Sequence, residues 1–276
     1  MSLSYKKLSK SSNDFRRFTG VTLPIFKGIV EKIRPDWAKF ELKKKCHGRR
    51  SHLPILEDKI LCLLIYYRFY ISHMFLGYLF NLDASNICRL FNALEPIVAS
   101  NISIKKDRSL SQDDLMKIIA DVTEINVQRP KNKKKRSQKY SGKKKRHTSK
   151  FEVQINKKGK IVNISDEYGG RRHDFFIRKS EDPMPRDAEK IVDLGFQGLQ
   201  KRTKNVLIPY KKSKKTPLTE EQKQHNKTVA SERMKIEHVF AKLKIFNILS
   251  SVYRNFQKKL HLRFNIISGI YNMQFA

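Results

Sequence analysis

Hydrophobic residues recur with a helical period in the first hundred residues and with a strand period beyond about Leu115. Apolar positions three and four residues apart predict an amphipathic helix that begins at Leu23 and that Pro35 ends. A basic linker is predicted from Lys43 to His52, followed by a second helix over roughly Leu56 to Tyr70. The front of the chain is therefore expected to be helical.

Residues 72 to 96 have the layout of a helix, a short turn and a second helix, which Asp83 or Ser85 can cap. The layout fits a helix-turn-helix, in which the exposed Ser85, Asn86 and Arg89 would face the major groove of DNA. An ordinary helical hairpin is the alternative that this pattern leaves open. Two apolar stripes flank the turn, formed by Phe75, Leu76, Leu79 and Phe80 and by Ile87, Leu90, Phe91 and Leu94.

Short strands are predicted in the segments KIIADVTEINVQ, KFEVQINKKGKIVNISDE, KIVDLGFQG and NVLIPY, with NKKGK as the turn of a hairpin. Two helices follow, over roughly Thr219 to Leu249 and Leu260 to Met273. This order predicts an α/β domain with a mixed central sheet flanked by helices, behind an all-α accessory domain. The predicted domains cover residues 1–112 and 113–276.

The charge balance points to nucleic acid as the partner. Lys and Arg number 59 against 26 Asp and Glu, so the formal charge is +33 and the pI is about 10.1. The longest apolar run, Ile60 to Tyr67, is too short to span a bilayer, so no membrane partner is expected. Cys46, Cys62 and Cys88 form no metal-binding or disulfide pattern, which favours a reducing cytoplasmic location, nucleoid-associated if bacterial.

A strongly basic segment from Arg129 to Lys150 holds twelve Lys or Arg in twenty-two residues and no acid. It is either a mobile solvated loop or, as we favour, an arm that orders on a phosphate backbone. A second basic run lies between Lys201 and Lys215. The predicted DNA-binding residues of the arm are Lys133, Lys134, Lys135, Arg136, Lys143, Lys144, Lys145 and Arg146.

Three acids stand in apolar settings, Asp121, Asp193 and Glu237, although acids are scarce in this chain. Carboxylates beside core strands of a cationic protein suggest a divalent-metal site that acts on a polyanion. Asp193 lies 72 residues after Asp121, and Glu237 a further 44, so only the fold can bring them together. Taken singly, each acid also fits a strand-end or helix-surface charge.

The helix that carries Glu237 places Arg233, Glu237 and Lys244 on one polar face beside its apolar stripe. Glu232 projects near the centre of that stripe and competes with Glu237 as the third ligand, with Glu237 favoured. The stripe consists of Ile236, Val239, Phe240, Leu243 and Phe246.

The segments ADVTEI, GRRHDFFI, VDLGFQGL and SERMKIEHVFAKLKIFNIL resemble successive blocks of DDE-superfamily transposases, in the branch of insertion-sequence-five and Harbinger-type elements. The resemblance covers roughly Ala120 to Met273. It implies an RNase H-like fold in which Asp121, Asp193 and Glu237 bind two Mg²⁺ ions, with Mn²⁺ able to substitute. It also implies that Arg233 and Lys244 belong to the family signature, in which Ala230 replaces the usual Tyr.

The resemblance extends to His173 and Asp174, which match a His-Asp pair with an auxiliary role at the site. The alternative makes Asp174 the N-cap of the helix FFIRKS and His173 a neighbour of that cap. Gly195 and Gly198 are expected to allow a tight turn beside the metal site.

The resulting interpretation is a homo-oligomeric transposase that binds double-stranded DNA at element ends and at the target. It hydrolyses one strand and then joins the freed 3′ hydroxyl to target DNA. Two alternatives remain open on the sequence: a non-catalytic or domesticated DNA-binding protein that keeps the fold, and a nuclease without strand transfer.

Overall fold

The computed structural model describes residues 3–43, 51–104, 116–212, 217–254 and 259–275. The chain forms two compact units. The first comprises Met1–Ser103, Leu243–Ser251 and Gln257–Ala276, and the second comprises Ile104–Lys242 and Val252–Phe256. The structure thus differs from the predicted division, because the C-terminal helical segments belong with the N-terminal helices.

Helices account for most of the described residues of the first unit, and among the helices described none is both long and apolar enough to cross a membrane. The predicted linker from Lys43 to His52 lies mostly outside the described residues. The described α-helices of the two units together are α1 (Tyr5–Leu8), α2 (Ser12–Thr19), α3 (Leu23–Leu42), α4 (Leu56–Phe69), α5 (His73–Phe80), α6 (Ala84–Ile102), α7 (Lys133–Lys139), α8 (Asp174–Ser180), α9 (Glu220–Lys244), α10 (Asn247–Ser250) and α11 (Leu260–Asn272). Of these, α7, α8 and nearly all of α9 belong to the second unit.

Helix α3 does not end at Pro35, as the sequence predicted, but continues to Leu42. Proline removes one helical hydrogen bond and leaves the carbonyl four residues earlier, that of Glu31, without its usual donor. Both Pro35 and Glu31 are exposed, so water can reach that carbonyl. Ile33 and Trp37, one turn apart, are buried and hold the helix to the core on both sides of the proline.

The predicted helix-turn-helix forms from α5 and α6. Asp83 is the N-cap of α6, and its side chain accepts a hydrogen bond of 2.7 Å from the backbone N–H of Ser85. Asn81 takes the left-handed conformation that ends α5. Gly77 is required in α5 because a Cβ there would meet the Leu82 carbonyl oxygen at 2.2 Å.

The two apolar stripes pack as predicted, except that Phe75 is half exposed. The predicted groove-facing residues of α6 are exposed, and Arg89 donates to Asn86 Oδ1 at 3.1 Å. The buried members of the stripes are Leu76, Phe80, Ile87, Phe91 and Leu94.

The second unit contains the mixed sheet that the sequence predicted, with flanking helices. Its described strands follow the order β2-β3-β1-β6-β7, and β4 and β5 also pair with β3. Strand β1 is antiparallel to β3 and parallel to β6, which is parallel to β7. The strands are β1 (Lys117–Asn126), β2 (Tyr140–Ser141), β3 (Arg146–Asn156), β4 (Ile161–Ile164), β5 (Tyr168–Gly169), β6 (Glu189–Ile191) and β7 (Val206–Leu207).

The basic segment from Arg129 to Lys150 has regular structure, whereas the sequence predicted a mobile loop or an arm that orders on a phosphate backbone. That its cations bind DNA stays a prediction. The segment folds into α7 and β2, and β2 pairs with the start of β3. Lys139 anchors it by donating to Ser149 Oγ at 2.7 Å and to Glu167 Oε1 at 2.5 Å. Sequence alone missed this because Glu167, the counter-charge, lies outside the segment.

Candidate active site

Asp121 and Asp193 are brought together by the parallel pairing of β1 and β6. The register places Lys117 opposite Glu189 and Ile119 opposite Ile191, an offset of 72 residues. Asp121 and Asp193 are separated by the same 72 residues, and each lies two positions after the last of these pairs. The two carboxylates therefore lie side by side just beyond the paired part of these strands, Asp121 within β1 and Asp193 after the end of β6.

Arg233 of α9 bridges the two carboxylates. Its Nη2 lies 3.3 Å from Asp121 Oδ2, and its Nη1 lies 3.1 Å from Asp193 Oδ1. Side chains alternate along a strand, so Asp121 faces the same side as the buried Ile119 and Thr123. Helix α9 covers that side, which explains how a residue 112 positions away reaches Asp121.

The surroundings of Asp121 make its carboxyl harder to ionise than an exposed one. Burial raises the pKa of Asp121 above its ordinary value, and the nearby charge of Asp193 adds to this rise. Arg233 and the N–H of Val122, which donates to Asp121 Oδ1 at 2.8 Å, lower the pKa but do not cancel the effect of burial. Two close and partly desolvated carboxylates form a site that favours a bound cation.

The donor set suits a hard divalent cation, although Arg233 takes the place of a cation in this structure. Carboxylate oxygens are the ligands that Mg²⁺ prefers. Within the described residues, Arg233 Nε is buried without a hydrogen-bond partner, so the guanidinium is not fully satisfied where it lies. Three metal-binding side chains do not cluster anywhere in the described part of the chain. The two carboxylates fit a divalent cation once the Arg233 guanidinium moves away from them.

Glu237 does not complete a trio of carboxylates in this structure. It is exposed on α9, one turn or about 6 Å beyond Arg233 along the helix. Glu232 points elsewhere: it pairs with Lys117 at 3.3 Å and with Lys235 at 2.9 Å. The hydrogen bond from Lys235 is the main cause of a lowered pKa of Glu232, and the bond from Lys117 adds to it.

The position of Lys117 removes Glu232 from the site. Lys117 opens β1, four residues and about 13 Å before Asp121. Lys117 also pairs with Glu189, the first residue of β6, at 3.2 Å. Glu232 therefore belongs to an ion-pair group at the amino ends of β1 and β6, before the two aspartates along both strands.

Asp174 is not the N-cap of α8, as one interpretation of the sequence had it. The helix begins at Asp174 itself, and His173 is the N-cap residue without a side-chain bond. Asp174 instead accepts from Lys150 Nζ at 3.0 Å and packs against Gly195, where a Cβ would lie 2.6 Å from Asp174 Oδ2. Asp174 thus supports the turn that follows Asp193.

The turn after Asp193 has the tight geometry that its glycines predicted. Gly198 has a φ of 103°, which favours glycine, and Gly195 leaves room for Asp174. Lys244, by contrast, is the last residue of α9, eleven positions after Arg233 in the chain. Lys244 belongs to the first unit.

A large basic cavity in the second unit was not predicted. It has a volume of about 1210 Å³ and is lined by residues of α7, β2, β3 and the segment before α8. Two of the lining residues, Arg171 and Arg172, are adjacent in the segment GRRHD. These neighbouring arginines are the feature of the sequence that could have indicated a basic site. The other walls come from the basic segment, whose folded shape the sequence did not disclose.

Comparison with known proteins agrees with this architecture. The model of the DDE superfamily endonuclease matches residues 120–272, and that of the helix-turn-helix of the DDE superfamily endonuclease matches residues 51–104. The chain is 36% identical over 273 residues, 96% of each chain, to the transposase named for insertion sequence element IS702 of Microchaete diplosiphon. It is 26% identical over 236 residues, 84% of each chain, to the transposase named for IS112 of Streptomyces albus G. No solved structure matches.

Proposed function

We propose, from the premise that this chain belongs to the DDE superfamily of endonucleases, that it is an insertion-sequence transposase that cleaves and rejoins DNA. Its helix-turn-helix and endonuclease domains bind DNA. The observation that carries the proposal is the placement of Asp121 and Asp193 side by side on adjacent strands, with Arg233 across both. The active form is proposed to be a homo-oligomer.

DDE endonucleases generally depend on a divalent metal. We propose that Asp121 and Asp193, joined by Glu237, hold two Mg²⁺ ions and that Mn²⁺ can replace them. Bound there, the ions would activate the attacking hydroxyl and stabilise the leaving oxygen of a phosphodiester. Glu237 is the acid suited to this role because it lies one helical turn from Arg233 and, among the described residues, has no ion-pair partner.

The protein side chains supply positioning and charge. Arg233 neutralises both aspartates, and its planar donors also match phosphate oxygens. Asp174 and Gly195 fix the turn that presents Asp193, while Lys150 holds Asp174 in place. His173 lies next to this support and keeps the auxiliary role proposed for it.

The catalytic unit is proposed to be RNase H-like. Its first strand, β1, lies in the middle of the sheet, with the antiparallel β3 on one side and the parallel β6 and β7 on the other. The first aspartate lies on β1 and the second just after β6. This mixed order, with acids on neighbouring strands, supports the assignment.

Wild-type activity tests the function directly. The full chain is incubated with a plasmid that carries the DNA flanking its own gene, with Mg²⁺, with Mn²⁺ or with a chelator. We expect nicked and joined products with either metal and neither product with the chelator. A nuclease without strand transfer would give nicks alone, and a DNA-binding protein without catalysis would give neither product.

The helix-turn-helix is proposed to recognise the element ends through Ser85, Asn86 and Arg89. Replacing Arg89 by Ala should weaken binding to the flanking DNA about tenfold and binding to unrelated DNA much less, since a base contact is worth roughly 1–3 kcal/mol. Fluorescence anisotropy measures both affinities. The matched control is Arg16→Ala, an exposed cation on α2. An equal loss of DNA affinity in the two variants would show that α5 and α6 are an ordinary helical hairpin that does not read DNA sequence.

A further inference from the structure

The basic cavity carries positive charge that the protein does not neutralise. Seven of its lining side chains are Lys or Arg, and Asp174 is the one carboxylate among the described lining residues. Asp174 is already engaged with Lys150. Six of the seven cations, all except Lys150, have no carboxylate of the described residues within ion-pair distance, among them Arg129, Lys133, Arg136 and Lys143. Cations gathered in a concave surface without counter-charge attract an anion with several phosphates.

An aromatic side chain lies in the same cavity. Tyr140 is 45% exposed, and its ring stands edge-on to that of His147 with the centroids 5.6 Å apart. The edge-on contact holds the tyrosine ring and leaves part of its surface open to the cavity. Sites for single-stranded nucleic acid combine a positively charged groove with an aromatic ring on which a base stacks.

We propose that this cavity binds unpaired nucleotides of a DNA strand, with phosphates on Arg129, Lys133, Arg136 and Lys143 and one base on Tyr140. Its volume of about 1210 Å³ is slightly above the roughly 300–1,000 Å³ of pockets that enclose small organic ligands. A nucleotide or two freed from base pairing fits such a space, whereas a base inside an intact duplex cannot reach Tyr140.

The cavity borders the candidate active site, so the proposal extends the proposed function and rests on it. Asp174 forms part of the wall and also packs against Gly195, two residues after Asp193. Lys150, another wall residue, is paired across the sheet with Glu124, three residues and about 10 Å beyond Asp121 on β1. A strand held in the cavity would therefore continue toward the two aspartates.

Binding of fluorescent oligothymidine tests the proposal with the full chain in the presence of a chelator. Tyr140→Ala should weaken oligothymidine binding about tenfold, because a stacked base contributes a factor of that order. Tyr140→Phe keeps the ring and should stay within about twofold of wild type. The matched control is Tyr210→Ala, which removes a similarly exposed tyrosine that stands edge-on to His225 outside the cavity. Duplex of the same length should bind all four proteins alike.

The phosphate contacts are tested by salt dependence. Replacing Arg129 and Arg136 together by Gln should lower the slope of log affinity against log salt for oligothymidine by about 1.4, since each phosphate contact contributes roughly 0.7. A melting temperature equal to that of wild type would show that the variant is folded. An unchanged slope in a folded variant would contradict the proposal.

The stacking of a base on Tyr140 can be rejected independently of the phosphate contacts. If Tyr140→Ala lowered single-strand and duplex affinity equally, or left both unchanged, the cavity would hold no stacked base. Because these assays need no metal and no cleavage, their failure leaves the nicking and joining results intact. Conversely, a chain that binds oligothymidine as expected but never nicks DNA would reject the proposed function alone.

Discussion

Replacing Asp121 by Asn is expected to lower Mg²⁺-dependent nicking by about a thousandfold while DNA binding is retained. Asn keeps the size of Asp but removes the charge that is proposed to hold a metal. A bound metal supplies several kcal/mol of transition-state stabilisation, and each 1.4 kcal/mol or so corresponds to a factor of ten in rate. Asp193→Asn should have the same effect, because the two carboxylates are arranged as a pair by Arg233. Rates of nicking and anisotropy with duplex DNA measure the two properties.

The same substitution should change stability little. A raised folded pKa means that the stability contributed by this carboxyl is present at low pH and is lost as pH rises through the folded pKa. At neutral pH the Asn substitution removes the cost of burying a charged carboxylate, but it also removes the ion pair with Arg233. We expect the free energy of unfolding, measured in urea, to stay within about 1 kcal/mol of wild type. Nicking at the wild-type rate by a folded Asp121→Asn protein would exclude Asp121 from catalysis.

Glu237 and Glu232 provide a matched pair of controls on one helix. Glu237→Gln changes an exposed acid and should reduce nicking without loss of stability. Glu232→Gln weakens ion pairs with Lys117 and Lys235 and should leave nicking intact. The reverse result would make Glu232 the third acid and would require α9 to move relative to β1.

Much of the site could be predicted from residues in sequence. Asp121 and Asp193 each follow an apolar run, and a carboxylate directly after such a run is a recognisable feature. Their separation of 72 residues carried no meaning until the pairing of β1 with β6 showed the same offset. Strand register depends on contacts between distant segments, and periodicity within one segment does not report it.

The role of Arg233 could not be predicted because it depends on the reach of a side chain. The helical wheel placed Arg233 correctly beside the buried face of α9 but gave no distance to either aspartate. The wheel put Glu232 near the centre of that face, where a charge would need a partner. The partner is Lys117, which only the fold brings near.

The errors in the predicted fold have a common physical cause. Pro35 and the basic segment from Arg129 to Lys150 were judged by local propensity. In each case a contact from elsewhere decided the outcome: burial of Trp37 carries α3 beyond the proline, and Glu167 anchors the basic segment through Lys139. Tertiary contacts outweigh local preference where they bury apolar surface or supply a counter-charge.

Replacing Glu95 by Ala should lower the free energy of unfolding by about 3–5 kcal/mol, the cost of leaving a buried charge unpaired. Glu95 is fully buried on α6 and accepts from Arg263 Nε at 2.7 Å, from Lys259 Nζ at 3.0 Å and from the Tyr67 hydroxyl at 3.1 Å. Because Arg263 lies on α11 and is itself buried, this bond ties the helix proposed to read DNA to the C-terminal helix.

The size of this loss is tested by urea unfolding of Glu95→Ala beside a control. Glu31→Ala removes an exposed acid from α3 and should cost less than about 0.5 kcal/mol. The double variant Glu95→Ala with Arg263→Met removes both charges and should recover part of the loss, because an apolar side chain needs no counter-charge. If the two glutamate variants were equally stable, the Arg263 guanidinium would have to reach water in the folded chain, and α6 would owe its position to apolar packing alone.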